Sequence, residues 1–277
     1  MLWRDQRASA NIEDRRGGGM VAGGGIGMLV LAAIVYFMGG DPTPVLREAA
    51  TPRQTQGSGP IEQSPEEAEQ VEFVSRVLSS TEDVWTKVLQ AEGIRYQEPK
   101  LVLFRDGVQS ACGTASSEVG PFYCPADRKA YLDLGFFDQL SGQLGATGEF
   151  ARAYVIAHEI GHHVQNLLGT MDKVQSKGRT SGEGSSAVRL ELQADYYAGL
   201  WAHHTQGTDI KLNQKDLEAG LNAASAIGDD TLQKRGQGQV VPDAFTHGTS
   251  AQRVRWFRRG MELGTLEGGD TFAARDL

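Results

Sequence analysis

The sequence predicts an α+β domain dominated by helix, with a small sheet, preceded by one N-terminal transmembrane helix. Three observations predict it. Beyond residue 150, apolar residues recur with helical spacing over four long stretches. Only two short stretches, 101–104 and 130–134, read as strands. Residues 17–40 carry no charged side chain, and ~20 apolar residues suffice to span a ~30 Å hydrocarbon core.

The centre of the 17–40 run reads GGGIGMLVLAAIVYFMGG. Glycine weakens a helix in water but is tolerated in a bilayer, where it can aid packing. Arg4, Arg7, Arg15 and Arg16 precede the run; Asp41, Arg47 and Glu48 follow it. The positive-inside rule therefore predicts a cytoplasmic tail at 1–16, with everything after Asp41 outside. A cleaved signal peptide is the rival reading, but the run exceeds a usual signal core and no small-residue cleavage site follows it. A buried soluble helix is a third option, and nothing polar marks a solvent face. Residues 41–63 are rich in Pro, Gly, Gln and Thr and read as a flexible tether. The domain is expected at 64–277.

The formal net charge of the 277 residues is -8, which argues against nucleic-acid binding. Cys112 and Cys124 are the two cysteines. Outside the cytoplasm they read as a disulfide, which for so short a loop contributes roughly 3 kcal/mol by chain entropy. Two unpaired buried thiols are the alternative, and two sulfurs are too few for a structural zinc site.

Ser64, Pro65, Glu66 and Glu67 form a helix start, with an N-cap, a proline in the first turn and two acids. Val71, Val74 and Leu78 continue it, and 80–92 reads as a second helix stopped by Gly93. Strand 101–104 leads to an irregular loop at 107–127, then to strand 130–134. Helices follow at 150–168, 185–204, 216–227 and 249–263, with a polar loop at 176–186. Thr249 and Gln252 have capping-box spacing. Tyr131 to Leu134 is read as an edge strand able to pair with an extended peptide.

The chemistry centres on His158-Glu159-Ile160-Gly161-His162. Residues four apart on a helix share a face, so His158 and His162 can present two imidazoles to one ion. Glu159 lies beside them and can take a proton from a metal-bound water. The helix around them is apolar, and burying two His and a Glu costs free energy unless something pairs with them. Chance placement of two histidines is the bland alternative. A catalytic zinc takes three protein ligands and keeps one open position. The longer pattern ending in Gly and His is excluded by Gln165 and Leu168. The next helix offers Glu191 and Asp195, again four apart in an otherwise apolar stretch. Glu191 can ligate the metal, and Asp195 can accept the free ring N–H of His158. Two solvated surface acids are the alternative. His/His/Glu suits zinc, though manganese, iron or cobalt could occupy it.

These motifs resemble the gluzincin zinc peptidases, in which Glu-x-x-Ala-Asp follows His-Glu-x-x-His. The wider match is to the bacterial neutral zinc metallopeptidase family, through Cys112-Gly113, Gly120 to Pro125, Tyr131-Leu132-Asp133, His158 to Gln165, Glu191 to Asp195 and His247 to Arg253. It covers residues 1 to about 265, with no departure at the metal positions. The resemblance implies a zincin-like fold, a zinc metalloendopeptidase acting on protein or peptide, and single-pass residence in a bacterial inner membrane with the catalytic domain periplasmic. It also implies that His247 and Arg253 lie near the site. His247 would donate to the oxyanion of the tetrahedral intermediate. A plain loop histidine and a surface arginine are the alternative. His163 points away from the ligands and reads as supporting or structural. His203 and His204 close the helix at 185–204 and are expected to complement its own C-terminal dipole. Two other classes stay open: a non-catalytic zinc-binding membrane regulator, and a metal-dependent amidase acting on cell-wall material.

Overall fold

The computed structural model describes residues 1–17, 63–178, 180–205 and 208–277. The apolar run and nearly all of the expected tether lie outside the described residues. Among the described residues no helix is long and apolar enough to cross a membrane.

The first surprise is at the start of the chain. Residues 1–16 are not a separate tail. Strand β1 (Ile12–Asp14) pairs in parallel with β2 (Lys100–Phe104), with Ile12 opposite Leu101. Trp3 is 2% exposed, stands edge-on to Phe73 at 5.3 Å, and its indole N–H donates to Glu149 at 2.8 Å. The sequence does not reveal this, because three strand residues followed by two arginines carry no periodic signal.

Helix α1 (Pro65–Ala91) runs unbroken over 27 residues, where the sequence suggests two helices meeting at Ser79 and Ser80. Those polar residues are buried yet satisfied. Ser79 accepts from Gln6, Ser80 from the Trp201 indole at 3.1 Å, and Thr81 donates to the Leu78 carbonyl. The N-cap is as expected: Ser64 Oγ accepts from the Glu67 N–H at 3.2 Å.

The stretch read as an irregular loop contains a hairpin and a strand. Strands β3 (Gly107–Ser110) and β4 (Gly113–Ser116) pair antiparallel, then β5 (Phe122–Cys124) and β6 (Lys129–Asp133) pair antiparallel. The main sheet has the order β1-β2-β6-β5. Strand β6 is therefore interior, correcting its reading as an edge; among the described residues the open edge on that side is β5. Cys112 and Cys124 form the expected disulfide, which ties the hairpin to β5.

Helix α2 (Gly135–Gly142) leads to α3 (Glu149–Leu167), which carries both histidines of the motif. Helix α4 (Thr170–Lys177) occupies part of the expected polar connection. Helix α5 (Ser186–His204) returns against α3. Helices α6 (Gln214–Ala226) and α7 (Asp229–Gln237) follow, then α8 (Ser250–Leu263) with both halves of the Thr249/Gln252 capping box formed. Helices α5 and α8 meet backbone to backbone: a Cβ on Gly199 would lie 2.0 Å from the Phe257 carbonyl oxygen, and one on Gly260 2.0 Å from that of Tyr196. His203 and His204 donate to the carbonyls of Met261 and Gly264, so they stabilise the C-terminal end of α8 rather than that of their own helix.

Truncating Trp3 removes a fully packed indole and the donor to Glu149 at the start of α3. Trp3→Ala is expected to lower unfolding stability by about 3–5 kcal/mol, measured by denaturant titration of the full chain. A loss below about 1 kcal/mol would mean that the N-terminal segment is not part of the core.

Candidate metal centre

Helix α3 presents His158 and His162 on one face, and their rings stand edge-on at 4.8 Å. Helix α5 places Glu191 opposite them. One carboxylate oxygen of Glu191 lies 3.2 Å from His158 Nε2 and 3.3 Å from His162 Nε2. All three residues are buried, and their donor atoms lie within 4.8 Å of one another. Tetrahedral ligands at 2.0–2.1 Å from zinc would be about 3.3 Å apart, so the two histidine–glutamate separations fit that ion.

The close approach of the helices depends on Gly161. A Cβ there would meet the Ala194 carbonyl oxygen at 2.9 Å and Ala194 Cα at 3.2 Å. A side chain at position 161 would push α5, and Glu191 with it, away from α3.

Each imidazole is oriented from behind. His158 Nδ1 donates to Asp195 at 2.8 Å; His162 Nδ1 donates to Gln165 Oε1 at 2.8 Å. Both Nε2 atoms therefore face Glu191, the ring orientation a metal site requires. Asp195 is wholly buried and well partnered. It accepts from His158, from the Tyr154 hydroxyl, and from Arg253 twice, at 2.8 and 2.9 Å. Arg253 is 2% exposed and lies behind the site, on Asp195. Gln165 in turn donates to the Leu190 carbonyl at 2.6 Å and to Gln193 at 3.1 Å, and so locks α3 to α5.

The charges follow from this packing. Burial raises the Glu191 and Asp195 carboxyls, but cationic neighbours overcome it. The His162 charge and both histidine hydrogen bonds hold Glu191 well below its ordinary value, and Arg253 with His158 holds Asp195 down. Burial lowers His158, yet Asp195 and Glu191 outweigh it and hold its proton up to about 9. Glu159 is raised by burial, opposed by the two histidines.

His247 lines the same pocket as His158, Glu159, His162 and Glu191, with its side chain 49% exposed. Asp229, at the first turn of α7, positions it. One Asp229 oxygen accepts from the backbone N–H groups of Thr246, His247 and Gly248 at 2.7, 2.6 and 3.0 Å; the other lies 3.2 Å from His247 Nδ1. His163 is a strut: Nε2 donates to the Gln97 carbonyl at 2.6 Å, and Nδ1 accepts from the Tyr123 hydroxyl at 3.0 Å. Burial pushes it down to about 4, consistent with a neutral ring. Tyr123 belongs to β5, so the open sheet edge is pinned to the metal helix. Gln165, Tyr154 and Asp229 escape the sequence reading. Gln165 sits at i+3 from His162, a spacing that could have revealed it. Asp229 is 18 residues from His247, with no local signal.

The sequence pattern of the family described as "Putative neutral zinc metallopeptidase" matches residues 1–272. The chain belongs to that family. It is similar to YpfJ of Escherichia coli K12, an uncharacterized protein, at 45% identity over 98% of this chain and 99% of that one. It is also similar to the uncharacterized Mb2605 of Mycobacterium bovis, at 44% identity over 72% of this chain and 69% of that one. No solved structure matches. The family's zinc fits the donor set, the spacing and the ring orientation found here.

Zinc uptake must displace the proton that His158 holds in the metal-free site. Apparent zinc affinity is expected to fall about tenfold per pH unit between about pH 9 and pH 7, the slope for one displaced proton. Competition with a chelator of known pH dependence measures it, and a flat profile would contradict the proton assignment.

Proposed function

We propose that this chain is a zinc metallopeptidase in which His158, His162 and Glu191 hold the metal and Glu159 is the general base. The observation that carries the reading is the convergence of three buried donors on one point, with a fourth buried group, Glu159, beside them. They face a cavity of about 800 Å³. A structural zinc site is closed by four protein ligands, whereas a catalytic one keeps a position open. Three donors facing a cavity favour catalysis over a non-catalytic module.

When bound, zinc supplies a Lewis acid that polarises a carbonyl and lowers the pKa of water to about 7. The protein groups do the rest. Glu159, its carboxyl raised by burial, accepts the proton of the attacking water and returns it to the leaving amine. Asp195 and Arg253 keep His158 oriented, and Gln165 does the same for His162. His247, held by Asp229, donates to the oxyanion as the carbonyl becomes tetrahedral. Strand β5 and the preceding Gly120-Pro121 line the pocket. Its open edge can pair with an extended peptide, taking the role that the sequence assigned to β6. The substrate in this reading is a protein or peptide chain.

Glu159→Gln is expected to retain one zinc and to lose hydrolysis of an unstructured protein such as casein by 10²–10⁴-fold. Retained metal with an unchanged rate would overturn the assignment of Glu159. Turnover of purified cell-wall fragments with none of casein would replace the peptidase with an amidase.

A further inference from the structure

The structure joins two stretches of chain that the membrane reading had placed on opposite sides. Strand β1 at Ile12–Asp14 is part of the same sheet as β2 and β6. Trp3, Gln6, Ser9 and Arg16 are all buried against the domain. Ser9 and Asn11 both donate to Glu82 of α1, at 2.5 and 2.9 Å. The contact extends to the last residues before the apolar run. The Arg16 guanidinium donates to Gln63 Oε1 at 3.0 Å and pairs with Glu67 at 2.8 Å. Arg16 and Gln63, which flank the stretch outside the described residues, thus lie side by side.

A single crossing between these points would separate them by a hydrocarbon layer ~30 Å thick. It would also strip β1 from its sheet and Trp3 from the core. Cleavage after the apolar run would have the same effect, since it would remove residues 1–16. A return crossing within residues 41–62 would have to bury Asp41, Arg47, Glu48 and Arg53, and the sequence supplies no second apolar run there.

We infer that residues 1–17 and 63–277 lie on the same side of the membrane. The N-terminal segment is then a retained part of the folded domain, not a cytoplasmic tail. This reading does not depend on the enzyme's activity. It rests on strand pairing and burial alone.

Thiol accessibility in the full-length chain tests it. Both native cysteines are in the disulfide, so an introduced cysteine is the free thiol. Ala8→Cys reports on the N-terminal segment and Lys87→Cys on α1; both positions are exposed. Each variant is expressed in bacteria, and sealed spheroplasts are treated with a membrane-impermeant maleimide, before and after lysis. Both thiols should react after lysis. In sealed spheroplasts the two should respond alike, both labelled or both protected, with yields within about twofold of each other. Labelling of one in sealed spheroplasts and of the other only after lysis would overturn the inference and restore the single crossing.

Discussion

Two carboxylates four residues apart on α5, Glu191 and Asp195, are buried against two imidazoles four residues apart on α3. The rest of the domain is arranged around that fact. An isolated buried carboxylate is costly, and the cost is met only if every oxygen finds a donor or a cation. Asp195 meets it with Arg253, Tyr154 and His158. Those partners come from α8 and α3, so the salt bridge fixes the relative placement of three helices. Glu191 instead faces the two imidazoles. Its carboxylate lies against both histidine Nε2 atoms, at the separation expected of ligands around one small ion. The same four-residue spacing on α5 therefore produces one structural acid and one poised for metal.

This division explains why the helices are so closely packed. Gly161 lets α3 approach α5, and Gly199 and Gly260 let α5 approach α8, each where a Cβ would collide with backbone. Small residues at the crossings bring the polar groups within hydrogen-bonding distance without an intervening solvent layer. Gln165 adds a neutral amide link between α3 and α5 behind His162. His163, the motif's neighbour, carries the same precision outward to Tyr123 and the sheet edge. Metal helix, sheet edge and pocket wall are thus parts of one packed unit.

Much of this was legible in the sequence. The i, i+4 pairs on α3 and α5 sit in apolar surroundings, and acids in such a helix need partners. That reasoning reaches Glu191 and Asp195 without knowledge of the fold. The four long helices, two of the strands and the disulfide were also readable, from spacing and from cysteine count. What escaped was non-local. Asp229 serves His247 across 18 residues, and Trp3 serves α3 across 146. The exchange of β6 for β5 as the edge follows from strand order, which periodicity does not encode. Ser79 and Ser80 looked like a helix break because their partners, Gln6 and Trp201, lie far along the chain. The N-terminal segment had the strongest local signal of all, basic residues before an apolar run, and its packing was hidden behind that signal.

The central claim is that Glu191 completes a three-ligand metal site. The most direct measurement is the zinc content of the purified full-length chain beside Glu191→Ala, by elemental analysis after dialysis. The full chain is the right material, because a fragment beginning at Ser64 would lack β1 and Trp3. The account predicts one zinc per parent chain and far less in the variant, with both proteins folded by circular dichroism. Equal zinc in the two, or none in the parent, would contradict it.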